Sequence, residues 1–235
     1  KGLDAVEKGL EGDNKKETKP DSKDIKENDK STNPDDDKSV VGKQEKESLK
    51  AFSRYDFVPG DQILLYEDFS QDAVGDFPAL WTTNKAGEIN TLSIAPGNWL
   101  NLNGTEGNWW FLNQIEFPKN YIIEFDVVPK KGAARYAVGV AIYGESTFKE
   151  MSDPFSCKTG LIVNVAKTGW ETQGLKSGNP KITGNSDINP VEEEKVNHVI
   201  IWVQNRRVRI YHKGEKVLDM PTNLYDDSRF TRLAF

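Results

Sequence analysis

The sequence predicts an all-β sandwich of antiparallel sheets behind a disordered, charged N-terminal tail. Residues 1–54 contain 13 Lys or Arg and 14 Asp or Glu, with Phe52 as their single aromatic residue. A segment of this composition cannot bury enough apolar surface to offset its ordering entropy. Residues 55–235 hold all six tryptophans and consist of short β-type runs between turn residues, which indicates a sandwich or barrel. Their length suits one domain with a two-layer core.

At least ten predicted strands follow one another in this domain, each bounded by turn residues. They are residues 62–69 after Pro59-Gly60-Asp61, 88–94 before Pro96-Gly97, 99–103, 109–117 between Gly107 and Pro118, 121–128 before Pro129, 136–143 before Gly144, 160–166, 196–204, 207–211 and 216–219 around turns at Asn205-Arg206 and Lys213-Gly214, and 229–235. The sequence shows no amphipathic helical pattern of useful length, so the prediction contains strands and loops only.

Alternation along the strands predicts which side chains enter the core. In residues 196–204, Val199 and Ile201 share one face, and Ile200 and Trp202 share the other. Because both faces are apolar, we expect this strand to lie inside its sheet with both sides covered. Trp202 is therefore predicted to be a core residue.

The two ends of the chain suggest a piece of a longer protein. It begins at Lys1 without Met, so either a leader was removed or the sequence is a fragment. It ends at Phe235 inside a strand-like run, and a sandwich that stopped there would leave an unpaired edge. We therefore expect the native β-sandwich domain to continue beyond residue 235.

Composition argues against several functions. The net charge is −6 and no basic stripe is present, so nucleic acid is not an expected partner. The sequence has no run of 18 apolar residues, so no membrane-spanning helix is expected. Cys157 is the single cysteine, which excludes an internal disulfide.

The best candidates for catalysis are Glu124 and Asp126, which share one strand face. A retaining glycosidase needs two carboxyl groups about 5–5.5 Å apart, and glucanases of the jelly-roll class add a further glutamate after a spacer. Here Val127 and Val128 follow instead. Nucleophilic catalysis has no Gly-x-Ser-x-Gly elbow to support it. The prediction is therefore a non-enzyme with no catalytic residues, in which this pair forms a polar outward face.

A metal site has weak support. Asp68, Asp72 and Asp76 occur close together in a loop, and calcium takes loop carboxylates as ligands. Their spacing matches no EF-hand, and loop aspartates also form turns. We expect no cofactor, and calcium binding by these aspartates is the alternative.

Aromatic residues give the strongest binding signal. Trp109 and Trp110 are adjacent and should face opposite sides of a strand, Tyr143 ends a strand, and Trp170 follows a predicted turn. An outward ring is a flat platform for a sugar or an anchor for a protein. These four rings are the candidates for the binding site, and we expect Trp170, Tyr143 and one of Trp109 or Trp110 there, with polar neighbours such as Asn164, Glu171 and Gln173. The alternative is that the rings cap the ends of the core.

Several motifs resemble a known family. They are residues 55–61 (YDFVPGD), 66–70 (YEDFS) and 74–78 (VGDFP), with Trp81. They look like the N-terminal module of Gram-negative envelope proteins that carry a C-terminal peptidoglycan-binding domain of the outer membrane protein A type. The later strands resemble laminin-G-like and concanavalin A-like folds, which implies a jelly-roll sandwich of two antiparallel sheets. That C-terminal domain is absent, so peptidoglycan binding cannot be assigned to these residues.

The resemblance implies an extracytoplasmic protein of the periplasm or outer membrane. The first hypothesis is a non-catalytic interaction module that binds a glycan or an envelope protein. The second is a structural spacer without a ligand, and the third, weaker one is a glucanase-like glycoside hydrolase. A concave face with an exposed aromatic ring favours the first hypothesis, and one lined by Lys, Glu and short residues favours the second.

Overall fold

The computed structural model of the protein describes residues 56–103, 106–132, 135–146 and 153–235. The predicted disordered tail, residues 1–54, lies outside this part of the chain. The described residues form thirteen strands and one short 3-10 helix at Pro154–Ser156. The strands are β1 (Trp81–Thr83), β2 (Ala86–Leu92), β3 (Ala95–Asn103), β4 (Trp109–Phe111), β5 (Asn120–Val127), β6 (Tyr136–Ser146), β7 (Cys157–Ala166), β8 (Gly169–Lys176), β9 (Ile182–Ser186), β10 (Asn197–Gln204), β11 (Arg207–His212), β12 (Glu215–Met220) and β13 (Arg232–Ala234).

The strands form two large antiparallel sheets and a hairpin, which confirms the all-β prediction. The larger sheet has seven strands in the order β1-β4-β13-β6-β7-β8-β9. The smaller sheet has four, in the order β12-β11-β10-β5, and β2 pairs with β3 beside them. Neighbours such as β7-β8 and β10-β11-β12 are consecutive in the chain, because short turns join antiparallel strands directly.

The main core lies between the facing surfaces of the two large sheets. Side chains that alternate along strands such as β7 and β10 point into it. The seven-stranded sheet contributes side chains such as Val140 and Val163, and the four-stranded sheet contributes Val199, Ile201 and Ile210, all fully buried. As predicted, β10 lies inside its sheet, between β11 and β5.

Trp202 corrects one expectation about this core. It points away from the Val199 and Ile201 side of β10, on the outer face of the four-stranded sheet, and is only half-buried. The ring of Phe57 packs edge-on against it with centroids 6.1 Å apart, and the guanidinium carbon of Arg209 lies 4.6 Å from the centre of its ring. The outer face is thus covered by an aromatic and a cationic side chain rather than by another sheet.

The segment at residues 62–69 corrects a second expectation, because it is not a strand. Leu65 and Phe69 pack against the main core, but Ile63 and Tyr66 are exposed. The apolar side chains of this segment therefore pack against the core, although its backbone forms no strand. Conversely, three observed strands, β1, β8 and β9, were not predicted.

Candidate functional site on the outer face of the seven-stranded sheet

A row of polar side chains crosses the outer face of the seven-stranded sheet. Asn164 on β7 pairs directly with Glu171 on β8, which pairs with Asn185 on β9. In the adjacent row, Gln173 on β8 pairs with Thr183 on β9. These five side chains point away from the core, because they alternate with residues that face it. They are half-buried or exposed, and together they are called the outer polar patch.

Glu171 is the anchored carboxylate of this patch. One of its oxygens accepts a hydrogen bond from the guanidinium of Arg135, and the other accepts one from the Tyr136 hydroxyl at 2.7 Å. These contacts fix the orientation of the carboxylate while a quarter of its side chain stays exposed. Hydrogen bonding to Glu171 raises the pKa of the Tyr136 phenol, so this phenol remains a donor at neutral pH.

Two exposed aromatic rings lie at the margins of the patch. The side chain of Tyr136 is 39% exposed and that of Phe155 is 54% exposed. Phe155 is tied to the patch through Lys181, whose ammonium lies 5.3 Å from the ring centre and 3.4 Å from the amide oxygen of Gln173. Both rings are large apolar surfaces in contact with solvent, close to fixed polar groups.

Beside Asn164, the sheet face is kept open by a glycine. Gly139 is its partner on β6, and a Cβ at this position would lie 3.1 Å from the Asn164 amide oxygen. That distance is too short for comfortable packing, so a larger residue would displace the amide. The missing side chain leaves the Asn164 amide free to meet a ligand from outside.

An apolar cluster adjoins the patch on the same outer face. It contains Trp110, Tyr143, Cys157 and Ile162, all buried. Within it, the indole nitrogen of Trp110 and the hydroxyl of Tyr143 have no hydrogen bond partner among the described residues. Burial raises the pKa of Tyr143 to about 12, and it raises that of the Cys157 thiol to about 11. Both groups are therefore neutral at physiological pH.

The four rings that the sequence analysis placed at the binding site are not outward platforms. Trp109, Trp110, Tyr143 and Trp170 have exposed fractions between 1% and 6%, so the expectation of open ring faces is wrong. Trp109 and Trp110 do face opposite sides, into the main core and the outer cluster respectively. Trp170 lies in β8 rather than at a turn, and its indole nitrogen donates to the Ile188 carbonyl at 2.8 Å.

The polar neighbours were predicted from the sequence, whereas the two exposed rings were not. Asn164, Glu171 and Gln173 do lie together on one face. Tyr136 and Phe155 were not singled out, although Tyr136 begins a predicted strand and Phe155 follows Pro154 in a polar segment. An aromatic residue in such a polar setting was the available signal for an exposed ring.

The aspartates proposed for calcium serve turns. A carboxylate oxygen of Asp68 accepts from the Ser70 amide at 3.0 Å, and one of Asp72 accepts from the Ala79 amide at 2.9 Å, while Asp76 is exposed. Across the described ranges, no group of three or more His, Cys, Asp and Glu is arranged to hold a metal ion. Two of the three aspartates, Asp68 and Asp72, thus stabilise the local backbone through their carboxylates, and calcium binding stays a prediction without a site.

Glu124 and Asp126 point outward on β5, and His198 of β10 joins them. The Nδ1 of His198 lies 2.8 Å from Asp126 Oδ1, and its Nε2 lies 3.6 Å from Glu124 Oε2. All three side chains are about half exposed. The polar outward face expected for this pair is observed, as a cross-strand charge cluster.

Comparisons with known proteins give weak structural likenesses. No family model and no curated protein sequence matches the chain. A carbohydrate-binding module of Bacillus subtilis, CBM66, is 18% identical over 66% of this chain and 87% of its own, with a TM-score of 0.44. The potassium-bound carbohydrate recognition domain of Emp46p is 10% identical over 73% of this chain and 84% of its own, with a TM-score of 0.45.

A third solved structure is the exoplasmic/lumenal domain of VIP36 in its Ca²⁺/Man-bound form. It is 12% identical over 72% of this chain and 81% of its own, with a TM-score of 0.44. At these identities and scores, neither the ligands nor the binding residues of the three proteins are transferred to this chain. Among the described residues, no helix has the length and hydrophobicity needed to cross a bilayer.

Proposed function

We propose that the domain is a non-catalytic glycan-binding module and that the outer polar patch is its binding surface. The observation that carries this proposal is the fixed Glu171 carboxylate, set in a row of amides on an open sheet face with exposed rings at its margins. Sugar hydroxyls need paired acceptors and donors in fixed positions, and the C–H faces of sugars need flat apolar surfaces. The patch offers both.

Each part of the patch has a defined task in this proposal. Glu171 accepts hydrogen bonds from two neighbouring hydroxyls, and the amides of Asn164 and Asn185 donate and accept on either side. Tyr136 and Phe155 each keep a large exposed surface on which a sugar ring can stack. Because Glu171 is already oriented by Arg135 and Tyr136, binding costs little side-chain ordering at this residue.

A glycan array followed by calorimetry on the best ligand tests the proposal. Glu171→Gln and Tyr136→Ala should each weaken binding by about tenfold or more, which is at least about 1.4 kcal/mol. The matched controls are Glu116→Gln and Tyr66→Ala, which change an exposed glutamate and an exposed tyrosine outside the patch. Binding to the controls should equal that of the unmodified protein.

Two results would contradict the proposal. One is an array without any bound glycan, which favours the spacer hypothesis. The other is a bound glycan whose affinity is unchanged by both patch substitutions. That result would show that the glycan binds elsewhere on the domain. The periplasmic or outer-membrane location, and an envelope protein or peptidoglycan as further partners of the whole protein, stay predictions from the sequence resemblance.

A further inference from the structure

A separate cavity of about 480 Å³ lies beside the start of β5 and the turn between β10 and β11. Its outer wall is the segment 224–230, and it shares no residue with the outer polar patch. Its volume falls in the range of about 300–1,000 Å³ that is usual for small-molecule sites. No residue of the family-like sequence motifs or of the proposed glycan surface lines this cavity.

The outer wall of the cavity is held in place by hydrogen bonds. The carbonyl of Arg206 accepts from the amides of Asn223 and Leu224 at 2.7 and 3.2 Å. The Arg206 Nε donates to the Leu224 carbonyl at 2.7 Å. The Tyr225 hydroxyl donates to the Pro180 carbonyl at 2.6 Å. At the other end of the wall, the Phe117 amide donates to the Phe230 carbonyl at 3.2 Å. With both ends of the wall tied to neighbouring segments, the cavity is formed before any ligand enters, which lowers the ordering cost of binding.

The inner wall is largely aromatic. The rings of Phe117 and Tyr121 have centroids 5.0 Å apart, and Phe230 meets Tyr121 edge-on at 6.5 Å. Val203 and Leu224 complete the apolar lining. Such a wall favours a ligand with a flat, apolar ring face.

The charged groups of the lining are unbalanced. Arg206 pairs with Asp226, with Nε and Oδ1 3.2 Å apart. Lys119 and Arg229 also line the cavity. Arg229 donates from Nη1 to the Ser228 carbonyl at 2.8 Å. The hydrogen bond from Lys176, helped by the charge of Arg229, holds the pKa of the neighbouring Asp227 carboxyl below the usual value. The lining thus carries three cationic side chains, those of Lys119, Arg206 and Arg229, and one carboxylate, that of Asp226. This excess of positive charge attracts an anion, and an arginine suits a carboxylate in particular.

Two hydroxyl groups lie buried behind the surface of the cavity. The side-chain oxygens of Tyr121 and Ser228 have no hydrogen bond partner among the residues that the structure describes. Buried hydroxyls almost always have one. Both oxygens lie beneath the surface of the cavity, so the contacts available to a ligand come from the rings and the cationic side chains of the lining.

We propose that this cavity binds a small ring compound that carries a carboxylate. The ring lies against Phe117, Tyr121 and Phe230, and the carboxylate meets Lys119 and Arg229. A uronic acid and an aromatic acid share this chemistry, and the test separates them. The inference stands on the cavity alone and is independent of glycan binding at the outer polar patch.

Amide chemical shifts of the whole chain provide the test. The probes are galacturonate and benzoate, and their neutral counterparts are galactose and benzyl alcohol, each titrated to millimolar concentration. We expect saturable shifts at the amides of Asn205, Leu224 and Arg229 with at least one carboxylate and none with its neutral counterpart. The carboxylate that binds identifies the ligand class as sugar acid or aromatic acid.

Substitutions test whether the charges of Lys119 and Arg229 bind the carboxylate. The double substitution Lys119→Gln with Arg229→Gln should weaken binding about tenfold or more, whereas Lys131→Gln, an exposed lysine outside the cavity, should leave it unchanged. Glu171→Gln should also leave it unchanged, which separates this site from the patch. The spectra themselves report whether each variant is folded.

The inference is overturned by any of three results. These are no shift at the cavity amides with either carboxylate, equal shifts with the neutral counterparts, and undiminished binding to a folded double variant.

Discussion

Trp170 and Trp202 occupy contrasting positions on the two sheets. Trp170 is 1% exposed, packs beside the His212 ring with centroids 5.3 Å apart, and donates from its indole nitrogen. Trp202 is half-buried, and its contacts come from Phe57 and Arg209 on the outer face of its sheet. Their contributions to stability should differ accordingly, since truncation in a closed core leaves a cavity that a surface site does not.

We therefore expect Trp170→Ala to reduce the free energy of unfolding by about 3–5 kcal/mol. Trp202→Ala should cost less, about 0.5–3 kcal/mol. Denaturant unfolding of the two variants beside the unmodified protein measures both values. A larger loss for Trp202 than for Trp170 would show that the outer face of the four-stranded sheet is the more tightly packed of the two.

The sequence misplaced Trp170 for a physical reason. Its strand, β8, reads GWETQGLK, with two glycines and alternating polar residues, so its β propensity is low. The glycines are required by close packing. A Cβ at Gly169 would lie 2.1 Å from the Ser186 carbonyl oxygen, and one at Gly174 would lie 1.8 Å from that of Asn223. Tertiary contact, which local patterns do not contain, determines this strand.

At the scale of elements, an ion-pair cluster joins β11 to β12 on the outer face of the four-stranded sheet. Arg207 donates two hydrogen bonds to the carboxylate of Asp219, at 2.7 and 2.6 Å, and Lys216 lies 3.3 Å from it. Burial alone would raise the pKa of Asp219, but the bonds from Arg207 and Lys216 outweigh it and lower the pKa below the ordinary 3.8.

This cluster predicts acid sensitivity with a defined sign. The unfolded chain holds a proton on Asp219 more readily than the folded chain, so the contribution of the ion pair to stability is present above pH 3.8 and is lost as the pH falls through the lower folded pKa. Asp219→Asn should flatten the fall of the unfolding free energy in that range.

Urea unfolding at a series of acidic pH values measures the effect. Arg207→Gln, which removes the partner of Asp219, should flatten the slope in the same direction. Parallel slopes for the unmodified protein and Asp219→Asn would show that the pair contributes nothing to acid stability.

Local patterns were reliable for some elements and not for others. The three strands β10, β11 and β12 were predicted because tight turns separate clear alternations, and Asn205 and Lys213 do adopt positive φ at those turns. Residues 62–69 are also rich in apolar side chains after a turn signal but have no partner strand among the described residues. The pattern of apolar residues in a segment predicts which of its side chains are buried. Whether the segment forms a paired strand depends on which other segment of backbone lies beside it in the fold.

For the molecule as a whole, we expect no glycosidase activity. Glu124 and Asp126 lie on an exposed sheet face and are engaged with His198, whereas glycoside hydrolysis needs an acid and a nucleophile or base on either side of a bound sugar. Incubation with laminarin, lichenan and agarose should release no reducing ends. Turnover that disappears in Glu124→Gln would assign catalysis to this face.

The whole sandwich was easier to predict than its binding surface. Composition separated residues 55–235 from the tail, and alternation on β10 predicted the buried positions Val199 and Ile201. The binding surface depends on side chains from three strands, such as Asn164, Glu171 and Asn185, which the sheet register brings together across 21 residues of sequence. That register is fixed by the fold and not by any local motif, so ring exposure was assigned to the wrong aromatic residues.

The charges on β5 have a consequence for solubility. Among the strands that the structure describes, β5 is an edge of the four-stranded sheet, and an unpaired edge is a template on which a second chain can add a strand. Glu124 and Asp126 place two carboxylates along it, so two copies that approach edge to edge in antiparallel fashion bring like charges together. The acidic pair thus discourages the domain from forming extended aggregates through this edge.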